Sequence, residues 1–255
     1  MSTYSAALEP QATAHGAGTR PSLFRLTAVE LRKMVDTRAG FWLLVSIALL
    51  TVSVVVGLQF SANHDDSLRG FFSDSSQVAL TLLPIVGILL VTSEWTQRTS
   101  LITFTLVPQR ARVVVAKVAA GVALSVVAWF VILAMAAVGT AVAGGAWSLP
   151  GWLIGQSSLY LAVSMLMGIA FGAALLSSAP AIVLYFVVPL GFALLGGIPA
   201  LDGLATWFDG SQTLEPLVNE SMSAAQWAHA GTTMAVWMAL PLAVGLWRIT
   251  RGEIN

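Results

Sequence analysis

The chain has 255 residues, 57% of them hydrophobic and only 9% charged, with a mean hydropathy of +0.83. A soluble domain carries about a quarter charged residues, so that class is excluded, and a formal net charge of zero gives no global field to draw nucleic acid or an acidic partner. The absence of cysteine removes disulfides, thiolate metal sites and thiol nucleophiles.

In chain order, residues 1–22 are small, polar and interrupted by Pro and Gly, with too little apolar surface to fold. They lack the apolar stretch of a signal peptide and read as a disordered cytoplasmic tail, which leaves targeting to the first span. Residues 23–36, LFRLTAVELRKMVD, come next. Leu23, Leu26, Leu31, Met34 and Val35 can share one face of a helix, with Arg25, Arg32 and Lys33 on the other. The pattern suits a helix lying in the membrane interface, either as a plain juxtamembrane anchor or as an elbow that also touches a cytoplasmic partner.

Six apolar runs follow, at residues 40–59, 76–93, 113–142, 151–177, 180–198 and 226–247, each long enough to cross a bilayer. Helices are predicted for all of them, because hydrocarbon offers an unpaired backbone group no partner and the runs lack the alternation of a barrel strand. Pro84, Pro189 and Pro241 are expected to kink their helices, and Gly168-x-x-x-Gly172 permits close helix contact, within or between subunits. Lys117 is the one charge inside a span, near enough to the inner edge to snorkel. Interiors otherwise free of charge speak against a proton-coupled carrier and against acid–base catalysis in the membrane.

Two connections between spans stand out. Residues 93–117, SEWTQRTSLITFTLVPQRARVVVAK, hold a short helix signal that Thr99 caps and Pro108 stops. Its Leu101, Ile102, Phe104 and Leu106 leave apolar surface that needs cover from lipid or from another protein. Residues 199–225 contain two short amphipathic pieces and read as a lid over an exit path or a shield for the helix ends.

Orientation follows from charge. With the N-terminus inside, every one of the 12 basic residues except Arg69 falls on the cytoplasmic side, and Asp65, Asp66, Asp74, Asp202, Asp209, Glu215 and Glu220 fall outside. Trp42, Trp95 and Trp247 then mark the inner interface, and Trp147, Trp152, Trp207 and Trp227 the outer one. Both termini are expected in the cytoplasm. No phosphate-cradling G-x-x-x-x-G-K-[ST] and no metal-binding H-E-x-x-H occurs, and His15, His64 and His229 are scattered.

Residues 26–44, LTAVELRKMVDTRAGFWLL, and the 93–117 segment resemble the membrane subunits of type-2 ATP-binding-cassette (ABC) exporters, small permeases paired with a separate ATPase. Six spans with a long outer connection before the last fit the same family, so the likeness runs from about residue 23 to the end. It implies an all-α, six-span fold with an N-terminal connecting helix, carrying Glu30, Arg32 and Lys33, and a short cytoplasmic coupling helix between spans two and three. Glu94, Arg98, Thr99, Leu101, Ile102 and Phe104 would dock on the ATPase, and Gln77, Thr81 and Tyr185 would line the substrate pathway. Two copies of the chain would work with two ABC ATPase subunits in the inner (cytoplasmic) membrane of a bacterium, with ATP and Mg bound by the partner and no cofactor or catalytic site on this chain. The cargo would be hydrophobic or amphipathic: an antibiotic, a drug or a peptide. The residues also admit a membrane-embedded enzyme or an antimicrobial-immunity protein acting without an ATPase.

Overall fold

The computed structural model describes residues 22–96, 110–195 and 202–251, and its described residues form helices and their connections, with no strand among them. The elements are α1 (Leu23–Asp36), α2 (Arg38–Leu58), α3 (Leu68–Thr96), α4 (Arg110–Ala143), α5 (Gly151–Leu175) and α6 (Ser178–Leu195). After them come the short α7 (Asp202–Phe208), α8 (Gly210–Leu214) and α9 (Pro216–Asn219), then α10 (Ala224–Met234), a π-helical segment (Ala235–Ala239) and α11 (Leu240–Arg251).

Thr37 turns the corner between α1 and α2. Its extended backbone closes α1 through an N–H donated to the Lys33 carbonyl, while its Oγ1 accepts the Gly40 N–H at 3.2 Å and caps α2. Gly40 is required at this corner, because a Cβ there would collide with the Met34 carbonyl. The face of α1 that packs differs from the predicted one. Met34 is buried and Leu26 and Leu31 are half-buried, but Leu23 and Val35 are exposed. The buried stripe instead includes the Glu30 carboxylate, and Lys33 turns toward the bundle rather than away from it.

Four single helices, α2 to α5, and the continuous run Ala224–Thr250 are long and apolar enough to cross a membrane. A sixth apolar helix, Ser178–Phe192 within α6, is shorter. The chain is therefore an all-helical, multi-pass membrane protein. α3 begins at Leu68, earlier than the predicted residue 76, because a local turn caps it: Ser67 Oγ accepts the Gly70 N–H at 3.2 Å and donates to Asp65 at 2.8 Å. That hydrogen bonding, and that of the Ser67 N–H, hold the Asp65 carboxyl below its ordinary range.

At the centre lies the pair α3 and α5, whose apolar windows are 67% and 61% buried against 17% for α2. Glycines set their approach. A Cβ at Gly168 would run into the Pro84 backbone, and one at Gly172 would sit 3.0 Å from the Ile88 carbonyl. The Gly168-x-x-x-Gly172 contact is thus made within the subunit.

The last span carries a π-helical turn just before Pro241, where the Leu240 N–H donates to the Ala235 carbonyl. Proline lacks an N–H and crowds the carbonyl four residues back, so the widened turn relieves the clash. Residues 202–222 fold over one end of the bundle and are pinned there. Gln156 donates to Glu220 O at 2.8 Å, Arg69 to Asn219 O at 2.6 Å, Ser73 to Val218 O at 3.0 Å and Trp237 Nε1 to Phe208 O at 2.7 Å.

Candidate functional site

At the end of the bundle that carries α1, three helices bring four charges together. Glu30 and Lys33 come from successive turns of α1, Glu94 from the last turns of α3, and Lys117 from the second turn of α4. Lys117 Nζ lies 2.6 Å from Glu30 Oε2 and 3.1 Å from Glu94 Oε1, and donates to the Leu90 carbonyl at 3.0 Å. Lys33 Nζ lies 2.7 Å from both Glu30 Oε1 and Glu94 Oε1. The side chains of Glu30, Glu94 and Lys117 are 5–7% exposed, and Lys33 at 38% forms the wetter edge. Burial pulls the Lys33 ammonium down, but the charges and hydrogen bonds of Glu30 and Glu94 outweigh it and hold it above its ordinary value.

Lys117 therefore does not snorkel to water; its ammonium is neutralised inside the bundle. Desolvating an ammonium costs several kcal/mol, and two carboxylates and a carbonyl are what make that position tenable. The space beside Glu94, Lys117 and Trp95 measures only about 10 Å³, room for a single water at most. The cluster joins α1, α3 and α4.

The joint closes around the point where the chain leaves for residues 97–109. Arg98, Thr99, Leu101, Ile102 and Phe104 lie outside the described residues. Arg32 faces away from the joint and pairs with Asp36 at 3.0 Å on the exposed side of α1. Arg110, where the description resumes, donates to the Ile249 carbonyl at 2.9 Å, and Arg248 donates to the Ala174 carbonyl, so the end of α11 is tied to the same face of the bundle.

The second feature is a half-open cavity of about 260 Å³ in the half of the bundle under α7–α9. α3 contributes Leu80 and Thr81, α5 Tyr160, Ser164, Met167 and Phe171, and α6 Tyr185, Phe186 and Phe192; α8 and Trp237 of the π segment complete it. Of the predicted pathway residues, Thr81 and Tyr185 line this cavity. Gln77, one turn earlier on α3, is exposed and is not part of its lining. Sequence reasoning passed over Phe171 and Trp237, whose rings stack at 6.4 Å and 13°. It also passed over the ion pairs of Lys117, although Glu30 sits four residues from both Leu26 and Met34, on the apolar stripe.

Among the described residues no group of three or more His, Cys, Asp or Glu side chains is arranged to hold a metal ion. Compared with known proteins, the chain matches no family model and no curated protein sequence.

Proposed function

We propose that this chain is the membrane-spanning subunit of an ATP-driven exporter, working as two copies with two separate ABC ATPase subunits in a bacterial cytoplasmic membrane. In this reading α6 is the sixth span, both termini are cytoplasmic, and the end bearing the ion cluster faces the ATPases. The observation that carries it is the buried joint of Glu30, Lys33, Glu94 and Lys117. It ties the interfacial helix α1 to the two spans that flank the connection 97–109, so a push on that connection moves α1 and the bundle as one body. A helix held only by lipid would not need two buried carboxylates.

Two further observations agree. The cavity on the opposite half includes Thr81 and Tyr185, which gives a cargo a place to dwell. α2 and α6 show mainly exposed apolar side chains, among them Leu49, Val52 and Val56, and Val183, Val187 and Leu190, surfaces fit for lipid or for the second copy. In this account Glu94 contributes as a positioning residue, since its Oε1 pairs with Lys33 and Lys117, and residues 97–109 supply the contact with the ATPase.

The test is an affinity pull-down of the tagged chain from its native membranes, with the eluate identified by mass and assayed for Mg-ATP hydrolysis. The expected result is a stoichiometric P-loop partner whose hydrolysis is lost or uncoupled in Phe104→Asp, while the variant chain keeps its melting temperature. A chain that elutes alone, without ATPase, overturns the reading and favours an enzyme or immunity protein.

A further inference from the structure

The cavity under α7–α9 differs in kind from the rest of the interior. Where α3 and α5 meet, glycines bring the backbones into contact, yet a few turns away about 260 Å³ is left unfilled. An apolar cavity of about 150 Å³ takes one benzene ring, so this one has room for a molecule of roughly two fused rings. Among the described residues its lining contains no Asp, Glu, Lys, Arg or His. Asp209, beside the lining residues Gly210 and Ser211, is buried and spends its carboxylate on the Ser211 N–H at 2.9 Å and the Ser211 hydroxyl at 2.7 Å. An anionic ligand would lose its hydration there without compensation.

The walls are flat and held in place. Phe171 and Trp237 lie nearly parallel, Tyr185 meets Phe171 edge-on at 6.0 Å, and Phe192 meets Trp237 edge-on at 5.9 Å. Trp237 is fixed from above by its bond to Phe208 O, and it stands on a π-helical turn, a local widening often found at binding sites. Rigid rings of this kind select planar partners at little entropic cost. The hydroxyls of Tyr160 and Tyr185 line the same space and make no hydrogen bond among the described residues. Polar groups inside a protein are normally paired, and these two are free to pair with a ligand.

We propose that the cavity is a binding site, complete within one copy of the chain, for an uncharged planar molecule of about two fused rings that carries a hydrogen-bonding group held by Tyr160 and Tyr185. Its role as the cargo site rests on the exporter reading; the binding itself does not.

Tritiated 2-naphthol binding to the purified full-length chain in lipid nanodiscs, read by scintillation proximity against excess unlabelled 2-naphthol, tests it without any ATPase. The expected result is saturable binding at one site per chain, with naphthalene a weaker competitor. Tyr160→Phe combined with Tyr185→Phe keeps the rings and should weaken 2-naphthol roughly five- to tenfold while leaving naphthalene unchanged. Met167→Trp, which fills the space, should abolish both. Absence of saturable binding overturns the proposal, as does displacement by dodecanol as effective as by 2-naphthol, which would mark a pocket for an acyl chain. An unchanged 2-naphthol affinity in the double Phe variant would overturn the role of the two hydroxyls. A failure here leaves a co-purifying ATPase untouched, and a missing ATPase leaves the binding untouched.

Discussion

At the end of the bundle that carries α1, four charged side chains from three helices form ion pairs of 2.6–3.1 Å, and the space beside Glu94 and Lys117 measures about 10 Å³. In the opposite half, aromatic rings from α5, α6 and the π segment surround about 260 Å³, with no charged side chain among the described lining residues. The first arrangement is stiff, because withdrawing α3 or α4 leaves an odd charge and withdrawing α1 breaks the Glu30–Lys117 and Lys33–Glu94 pairs. The second is held by dispersion and edge-on ring contacts, which tolerate exchange of whatever lies between them. A chain that must pass on a mechanical push at one end and release a molecule at the other is served by that division.

The largest effect should come from breaking the joint. Lys117→Met removes the ammonium that pairs with both Glu30 and Glu94. Removing one partner of a buried ion pair costs about 3–5 kcal/mol, and thermal unfolding of the purified chain should show the variant severely destabilised. If its melting temperature matched the wild type, the cluster would not be the dry, tightly paired joint described here.

A smaller effect is expected at the centre, where the two halves are joined by α3 and α5. Gly168→Ala drives a methyl into the backbone of Pro84, a contact that cannot yield by rotating a side chain. Overpacking of this kind costs about 1–3 kcal/mol. Gly121→Ala meets Ile169 Cδ1 and the Met165 side chain, flexible groups rather than backbone, and should lower the melting temperature distinctly less. Equal losses in the two variants would contradict the backbone contact between α3 and α5.

The smallest effect is a pH dependence at the wet edge of the joint. The folded-state pKa of Lys33 lies above the ordinary 10.5, so its contribution is complete below that value and fades as pH rises through the raised one. Lys33→Arg cannot lose its charge. Melting temperature should therefore fall more steeply above pH 10.5 in the wild type than in Lys33→Arg, with parallel curves at pH 6–9. A steeper fall in the Arg variant would reverse the sign of the argument.

Much of this architecture was legible in the residues. Unbroken apolar runs determine helices in a bilayer whatever their neighbours do, and α2, α4 and α5 begin and end within a few residues of the predicted limits. The start of α3 was hidden because Arg69 and Asp74 lower the hydropathy of a turn that Ser67 caps and the helical roof covers. The ion joint was half visible: a charge on the apolar stripe of α1 and a lone charge in a span are both unusual, but nothing in the sequence shows that Glu30 and Lys117, 87 positions apart, meet. The cavity was the least legible part. Thr81 and Tyr185 stood out as polar groups in apolar runs, whereas Phe171 and Trp237 look like any other ring in such a run, and only tertiary packing distinguishes a ring that fills the core from one that bounds a space.

The central claim is that the joint transmits motion rather than merely stabilising the fold, and a paired substitution separates the two. Glu30→Met combined with Lys117→Met removes one acid and one base, leaves Lys33 beside Glu94, and should restore most of the stability that Lys117→Met loses. In a complex with the ATPase proposed above, reconstituted into liposomes, transport per ATP hydrolysed should nonetheless fall about tenfold, within the usual range of coupling energies between sites. Wild-type coupling in that folded double variant would contradict the account and leave the cluster a structural feature alone.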